Sequence, residues 1–162
     1  MEEWKEIRLR FWKQFYKYTQ ESNEAYEFKN VFKNRNLQPS IKDSTASYYP
    51  INSGNKFCSL YCEMLIKPLG KANIRLDLVD NGGHDLSDVV NVFDEHKIEL
   101  ERQLGPAAFW CDTTGKNKKI VYSTMCDLDD ERKWTDQFQW YCSVALALRY
   151  FMDKYIKGSS KL

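Results

Sequence analysis

The sequence predicts an α+β domain: a mainly antiparallel sheet of four to five strands, with three main helices packed on its apolar face, in the order α(α)ββαββα. Three observations carry this. Trp134, Phe138, Tyr141, Ala145, Leu148, Met152 and Tyr155 recur in four- and three-residue steps, the stripe of a buried helix face. Phe57 to Lys67 and Ala72 to Asp80 instead alternate apolar and polar residues, the period of a strand with one face buried. Helical and strand segments are interleaved, with no fixed-period repeat and no change of composition that marks a linker. Residues 1–157 are expected to form one domain and 158–162 a flexible tail.

In chain order, residues 2–20 read as a helix, with Trp4, Ile7, Phe11, Phe15 and Tyr18 on one side and Trp12 and Tyr16 broadening it. Arg8, Lys13, Gln14 and Lys17 fall on its other faces. Ser22 suits the cap of a shorter helix running to Asn34. Residues 34–55 turn to Asn, Ser, Pro, Lys and Thr and read as a long loop with a short edge strand near Tyr48 to Ile51. The strands 57–67 and 72–80 follow, joined by the tight link Pro68-Leu69-Gly70-Lys71. Asp85 to Leu104 reads as a helix capped by Asp85 and stopped by Gly105-Pro106. Ala107 to Cys111 and Lys118 to Met125 read as two more strands, and Asp129 or Asp130 caps the last helix.

Composition bounds the function. A chain of 162 residues buries about two thirds of its unfolded surface. Lys+Arg at 24 against Asp+Glu at 23 argues against a protein dedicated to coating nucleic acid or an anionic membrane. No run of about 18 apolar residues is present, and the first residues lack a signal-peptide layout, so a cytoplasmic protein with no membrane contact is expected. Cys58, Cys62, Cys111, Cys126 and Cys142 are odd in number and lie in apolar segments, as core thiols of a reducing compartment do. The ending Ser160-Lys161-Leu162 matches a peroxisomal address, read only in a eukaryote, and a chance ending is expected.

The chemical inventory is thin. His84, in a Gly-rich turn, is expected at the surface, and His96, on the central helix, as a packed or surface residue. Cys58 and Cys62 share a strand face about 13 Å apart, too far to hold one zinc ion. Neither the dinucleotide glycine fingerprint nor the P-loop occurs. A nuclease of the restriction-endonuclease type needs a carboxylate and Asp/Glu-x-Lys on a strand, but all four Glu-x-Lys triplets fall on predicted helices. No catalytic residue, metal site or cofactor is expected. What remains is the wet face of the two strands, with Tyr61, Glu63, Lys67, Arg75 and Asp77 as a candidate binding face; cross-strand charge pairing is its plain structural account.

Several phrases together give a family resemblance. Phe11-Trp12, Ile74-Arg75-Leu76-Asp77-Leu78, Leu100-Glu101-Arg102-Gln103-Leu104-Gly105 before Trp110, and Trp134…Trp140 stand in the order and spacing of a prokaryotic family catalogued as domain of unknown function 4268. In that family the domain commonly follows a nuclease-like region of the restriction-endonuclease type. The resemblance implies an accessory binding module in defence, serving nucleic acid or a separately encoded nuclease-like partner. It carries no catalytic residues over. Two readings compete: a divergent metal-dependent nuclease using Glu63, Asp77 and Lys67, and a structural interaction protein assembling through its aromatic helices.

Overall fold

The structure is a computed structural model in which residues 2–33, 38–41, 46–65, 71–79, 86–112 and 118–156 are described. Its centre is a five-stranded antiparallel meander in chain order: β1 (Ser40–Ile41), β2 (Ala46–Ile51), β3 (Cys58–Leu65), β4 (Lys71–Leu78) and β5 (Lys119–Met125). Around it lie α1 (Glu2–Glu21), α2 (Tyr26–Phe32), α3 (Ser87–Glu95), α4 (Lys97–Leu104) and α5 (Trp134–Tyr155). The α+β class, the antiparallel pairing and the helical core face stand as the sequence predicts.

Alternation sorts the sheet into two faces. Cys58, Leu60, Cys62 and Met64 on β3, and Ala72, Ile74, Leu76 and Leu78 on β4, all enter the core. Above them the helices supply the large rings. Phe11, Trp12 and Phe15 of α1 meet Trp134, Phe138 and Tyr141 of α5, with ring centroids 5.0 Å apart for Phe11–Phe138 and 5.2 Å for Phe11–Trp134. Such tilted and edge-on pairs add about 0.5–1.5 kcal/mol each to plain burial. Trp12 stacks on Tyr49 of β2 and donates its indole N–H to Ser47 Oγ at 3.1 Å, so the polar atom of each is satisfied inside the core.

Four expectations are corrected. The stretch 34–55 is not one loop with an edge strand: β1 and β2 form in it, and β2 is second in the sheet. Pro50 fits because β1 pairs with Ser47 and Tyr48, and no described strand pairs with Pro50 on that side. The central helix is bent into α3 and α4 at His96 (φ −105°, ψ 15°). Phe93 and Leu100, seven residues apart on either side of the bend, are both fully buried, and the residues between them are mostly polar. Ala107 to Cys111 is not a strand. Ala108 and Phe109 both donate to Val121 O, and Val121 donates back to Phe109 O; two residues opposite one is a bulge that ends the pairing after a single bridge. Arg8, expected on a face of α1 other than its apolar one, is buried, its Nε donating to Trp4 O at 3.3 Å.

Caps follow the sequence in part. Ser22 accepts from Glu24 N–H at the start of a 3-10 turn that leads into α2, and Asp130 accepts from Arg132 N–H ahead of α5. α3 has Leu86 at its N-cap without a side-chain bond. Asp85, the link 68–70 and the tail 158–162 lie outside the described residues. Among the described residues no helix is long and apolar enough to cross a membrane.

Candidate functional site

The outer sheet face follows from strand parity. Opposite the core residues stand Tyr48 on β2, Ser59, Tyr61 and Glu63 on β3, Asn73, Arg75 and Asp77 on β4, and Lys119, Val121 and Ser123 on β5. Register sets Tyr61 beside Arg75, Glu63 between Tyr48 and Asn73, and Asn73 beside Ser123. None of these side chains belongs to the hydrophobic core cluster.

Arg75 is the hub. Its Nη1 donates to Glu63 Oε2 at 3.0 Å and its Nη2 lies 3.0 Å from Asp77 Oδ2. The guanidinium carbon sits 4.7 Å from the Tyr48 ring centroid and 4.9 Å from that of Tyr61, near enough for both rings to attract the cation. Burial works against the charge on Arg75, but Asp77 and Glu63 outweigh it and raise its pKa. Glu63, only 6% exposed, is held from its other side by Asn73 Nδ2 at 2.7 Å. Ser123 donates its hydroxyl to Asn73 Oδ1 at 2.6 Å and so closes a chain across three strands. Arg75 Nε and Asp77 Oδ1 have no hydrogen-bond partner among the described residues.

Four of the five residues expected on this face, Tyr61, Glu63, Arg75 and Asp77, are therefore assembled into one network. Lys67 lies outside the described residues. Tyr48, Asn73 and Ser123 belong to the network but were absent from the expected set. Asn73 was legible, since it is two residues before Arg75 on the same strand. Tyr48 and Ser123 depend on strand pairings that only the fold supplies.

A shallow groove of about 290 Å³ adjoins the network at Tyr61, lined also by Pro50, Asn52, Ser53, Lys56 and Ser59. The β2–β3 turn that walls it is fixed by its own side chains: Asn52 Oδ1 accepts from Gly54 N–H at 3.0 Å and Asn55 Oδ1 from Phe57 N–H at 2.9 Å. Elsewhere the inventory is structural. His96 Nδ1 lies 3.2 Å from Glu99 Oε2 and its ring stacks on Tyr155, while His84 is outside the described residues. All five cysteines are free and buried, and burial pushes the Cys58 thiol up to about 12. No group of three or more His, Cys, Asp or Glu side chains could hold a metal ion among the described residues.

A family model described as "Domain of unknown function (DUF4268)" matches residues 7–156. No curated protein and no solved structure matches the chain.

Proposed function

We propose, from the premise that this chain belongs to the DUF4268 family, that it is a non-catalytic accessory module docking a separately encoded protein on the outer face of its sheet. The observation that carries this is Arg75, fixed by Glu63 and Asp77 and flanked by Tyr48 and Tyr61. Arg and Tyr held rigid on a sheet are the residue types that anchor protein interfaces, and pre-ordering them lowers the entropy lost on binding. The groove beside Tyr61 gives the otherwise flat face a recess.

Charge favours protein over nucleic acid. Arg75 and Lys119 are balanced on this face by Glu63 and Asp77, so a phosphate backbone would meet no basic excess there. The nuclease reading gains nothing from the geometry, because Glu63 and Asp77 already spend oxygens on Arg75. Assembly through the aromatic helices fares no better, since Phe11, Trp12, Phe15, Trp134 and Tyr141 are consumed by the core. The five free, buried thiols support work in a reducing compartment such as the cytoplasm. The family resemblance adds the partner class: a nuclease-like protein of prokaryotic defence.

Biolayer interferometry against the products of the neighbouring genes, and against 20-mer DNA and RNA, tests the reading. One protein should bind saturably, and Tyr61→Ala and Arg75→Met should each weaken it at least tenfold. Nucleic-acid binding weakened by the same variants, or no binding to any of these proteins, would overturn it.

A further inference from the structure

The free edge of β5 offers a second surface, separate from the Arg75 network. In an antiparallel strand alternate residues point their N–H and C=O to the same side. Val121 points its pair away from β4, because it exchanges hydrogen bonds with Phe109. Ser123 and Met125, two and four residues on, point theirs the same way. The chain folds back on this edge only at Phe109, and no described segment pairs with it beyond Val121.

The largest groove among those described opens at this point. It holds about 640 Å³ and runs between the end of β5 and the first turns of α5, with Thr124, Met125, Asp127, Asp136, Gln137 and Trp140 along it. It meets β5 at Thr124 and Met125, the last residues of the strand. Gln137 is only 7% exposed, yet its side-chain Nε2 has no acceptor among the described residues. A ligand carbonyl would satisfy this donor once the side chain turns toward the groove. Met125, 74% exposed, shares the parity of Val121 and Ser123, so its side chain stands uncovered on the outer face beside this edge.

We infer that this edge and groove bind an extended segment of a partner protein by strand addition to β5. Backbone donors and acceptors in a row at strand spacing are complemented by another strand and by few other ligands. A residue opposite Thr124 projects to the same side as Thr124, toward Gln137 and Trp140. An apolar side chain suits the Trp140 wall. Asp127 and Asp136 against Lys133 leave the rim negative, and Lys133 already lies 3.6 Å from Asp127, so basic residues two positions from the apolar one, on the same face of the added strand, are favoured.

The probe is a labelled, capped nonapeptide in which threonine alternates with lysine, valine, lysine and valine, so that one face carries both residue types, compared by fluorescence anisotropy with the counterpart that has glutamate for lysine. The lysine peptide should bind at least tenfold more tightly, and hydrogen exchange should slow at the Ser123 and Met125 amides. Met125→Pro removes one outward N–H without touching the β4 ladder and should cost at least tenfold, as should Asp136→Lys. If Met125→Pro fails to fold, N-methylation of alternate peptide residues asks the same question, one register abolishing binding and the other sparing it. Equal binding of both peptides, or protection that spares Ser123 and Met125, would overturn the proposal. So would a dimer protecting the same two amides without peptide, since a second copy would then own the edge.

Discussion

Tyr141, buried at the centre of α5, donates its hydroxyl to the backbone carbonyl of Glu63 at 2.8 Å. The bond ties the core helix to the strand residue whose side chain, on the opposite face, holds Arg75. The position of the outer network is thus set from inside the core. Tyr141→Phe keeps the ring packing and leaves the Glu63 carbonyl short of a partner, so it should destabilise the fold by about 1–2 kcal/mol. Urea denaturation should show this as a lower midpoint at unchanged slope.

The network itself should respond to losing its cation more than to losing one charge. Arg75→Met leaves Glu63, almost wholly buried, with only Asn73 to bond it. Arg75, whose side chain is 21% exposed, gains less from the pair than a fully buried arginine, so a loss of about 2 kcal/mol is expected. Adding Glu63→Gln removes the stranded charge while an amide oxygen still accepts from Asn73. The double variant should therefore be more stable than Arg75→Met alone. Thermal melts of the four proteins in the cycle decide it, and additive losses would show that the two residues act independently.

Legibility in the sequence followed the physics of each element. β3 and β4 alternate cleanly because one face of each is buried by helices, and α5 has an unbroken stripe because it crosses the core. β2 was harder to read, since Tyr49 and Ile51 face the core while Pro50 and the surrounding Ser and Asn residues read as turn. Its pairing with β3 is what turns Tyr48 from a loop aromatic into a flank of Arg75. The bend at His96 and the bulge at Ala108–Phe109 are tertiary adjustments with no propensity signal. Glu63 misled in the other direction. A glutamate on a polar strand face implies water, but hydrogen bonds from Asn73 and Arg75 let it sit almost fully buried.

The thiols make the fold sensitive to alkali. Burial raises Cys58, Cys126 and Cys142 to about 12 and Cys111 to about 11. Burial likewise lifts Tyr49, Tyr122 and Tyr141 above the usual tyrosine value. In the unfolded chain a thiol ionises near about 8.5. Above that pH the unfolded state holds fewer protons than the native one, so the stability of the neutral thiols is complete below it and is lost as pH rises toward the folded values. Each thiol contributes about 1.4 kcal/mol per pH unit in that window. The Tm should fall by about 10 °C or more between about pH 8 and pH 10. Cys142→Ala should flatten the decline, whereas a flat profile for the unaltered protein would contradict the burial of these groups.

Gly54 marks where the β2–β3 turn meets α5. Its φ of +68° is a conformation that costs an L-residue about 1–2 kcal/mol, and a Cβ there would stand 2.3 Å from the Arg149 guanidinium carbon. These two penalties separate. Arg149 is the tip of a flexible side chain held by Asp153 at 3.1 Å, so it can swing away, whereas the backbone angle cannot relax without undoing the turn that Asn52 and Asn55 fix. Gly54→Ala should therefore destabilise by about 1–3 kcal/mol, and Arg149→Ala should recover only the part due to collision. The remainder should disappear in Gly54→Asn, because asparagine tolerates a left-handed backbone better than alanine, once Arg149 is also shortened. Denaturant midpoints for the single and double variants resolve the two contributions. Full rescue of Gly54→Ala by Arg149→Ala would show that space, and not backbone angle, is what requires glycine at this turn.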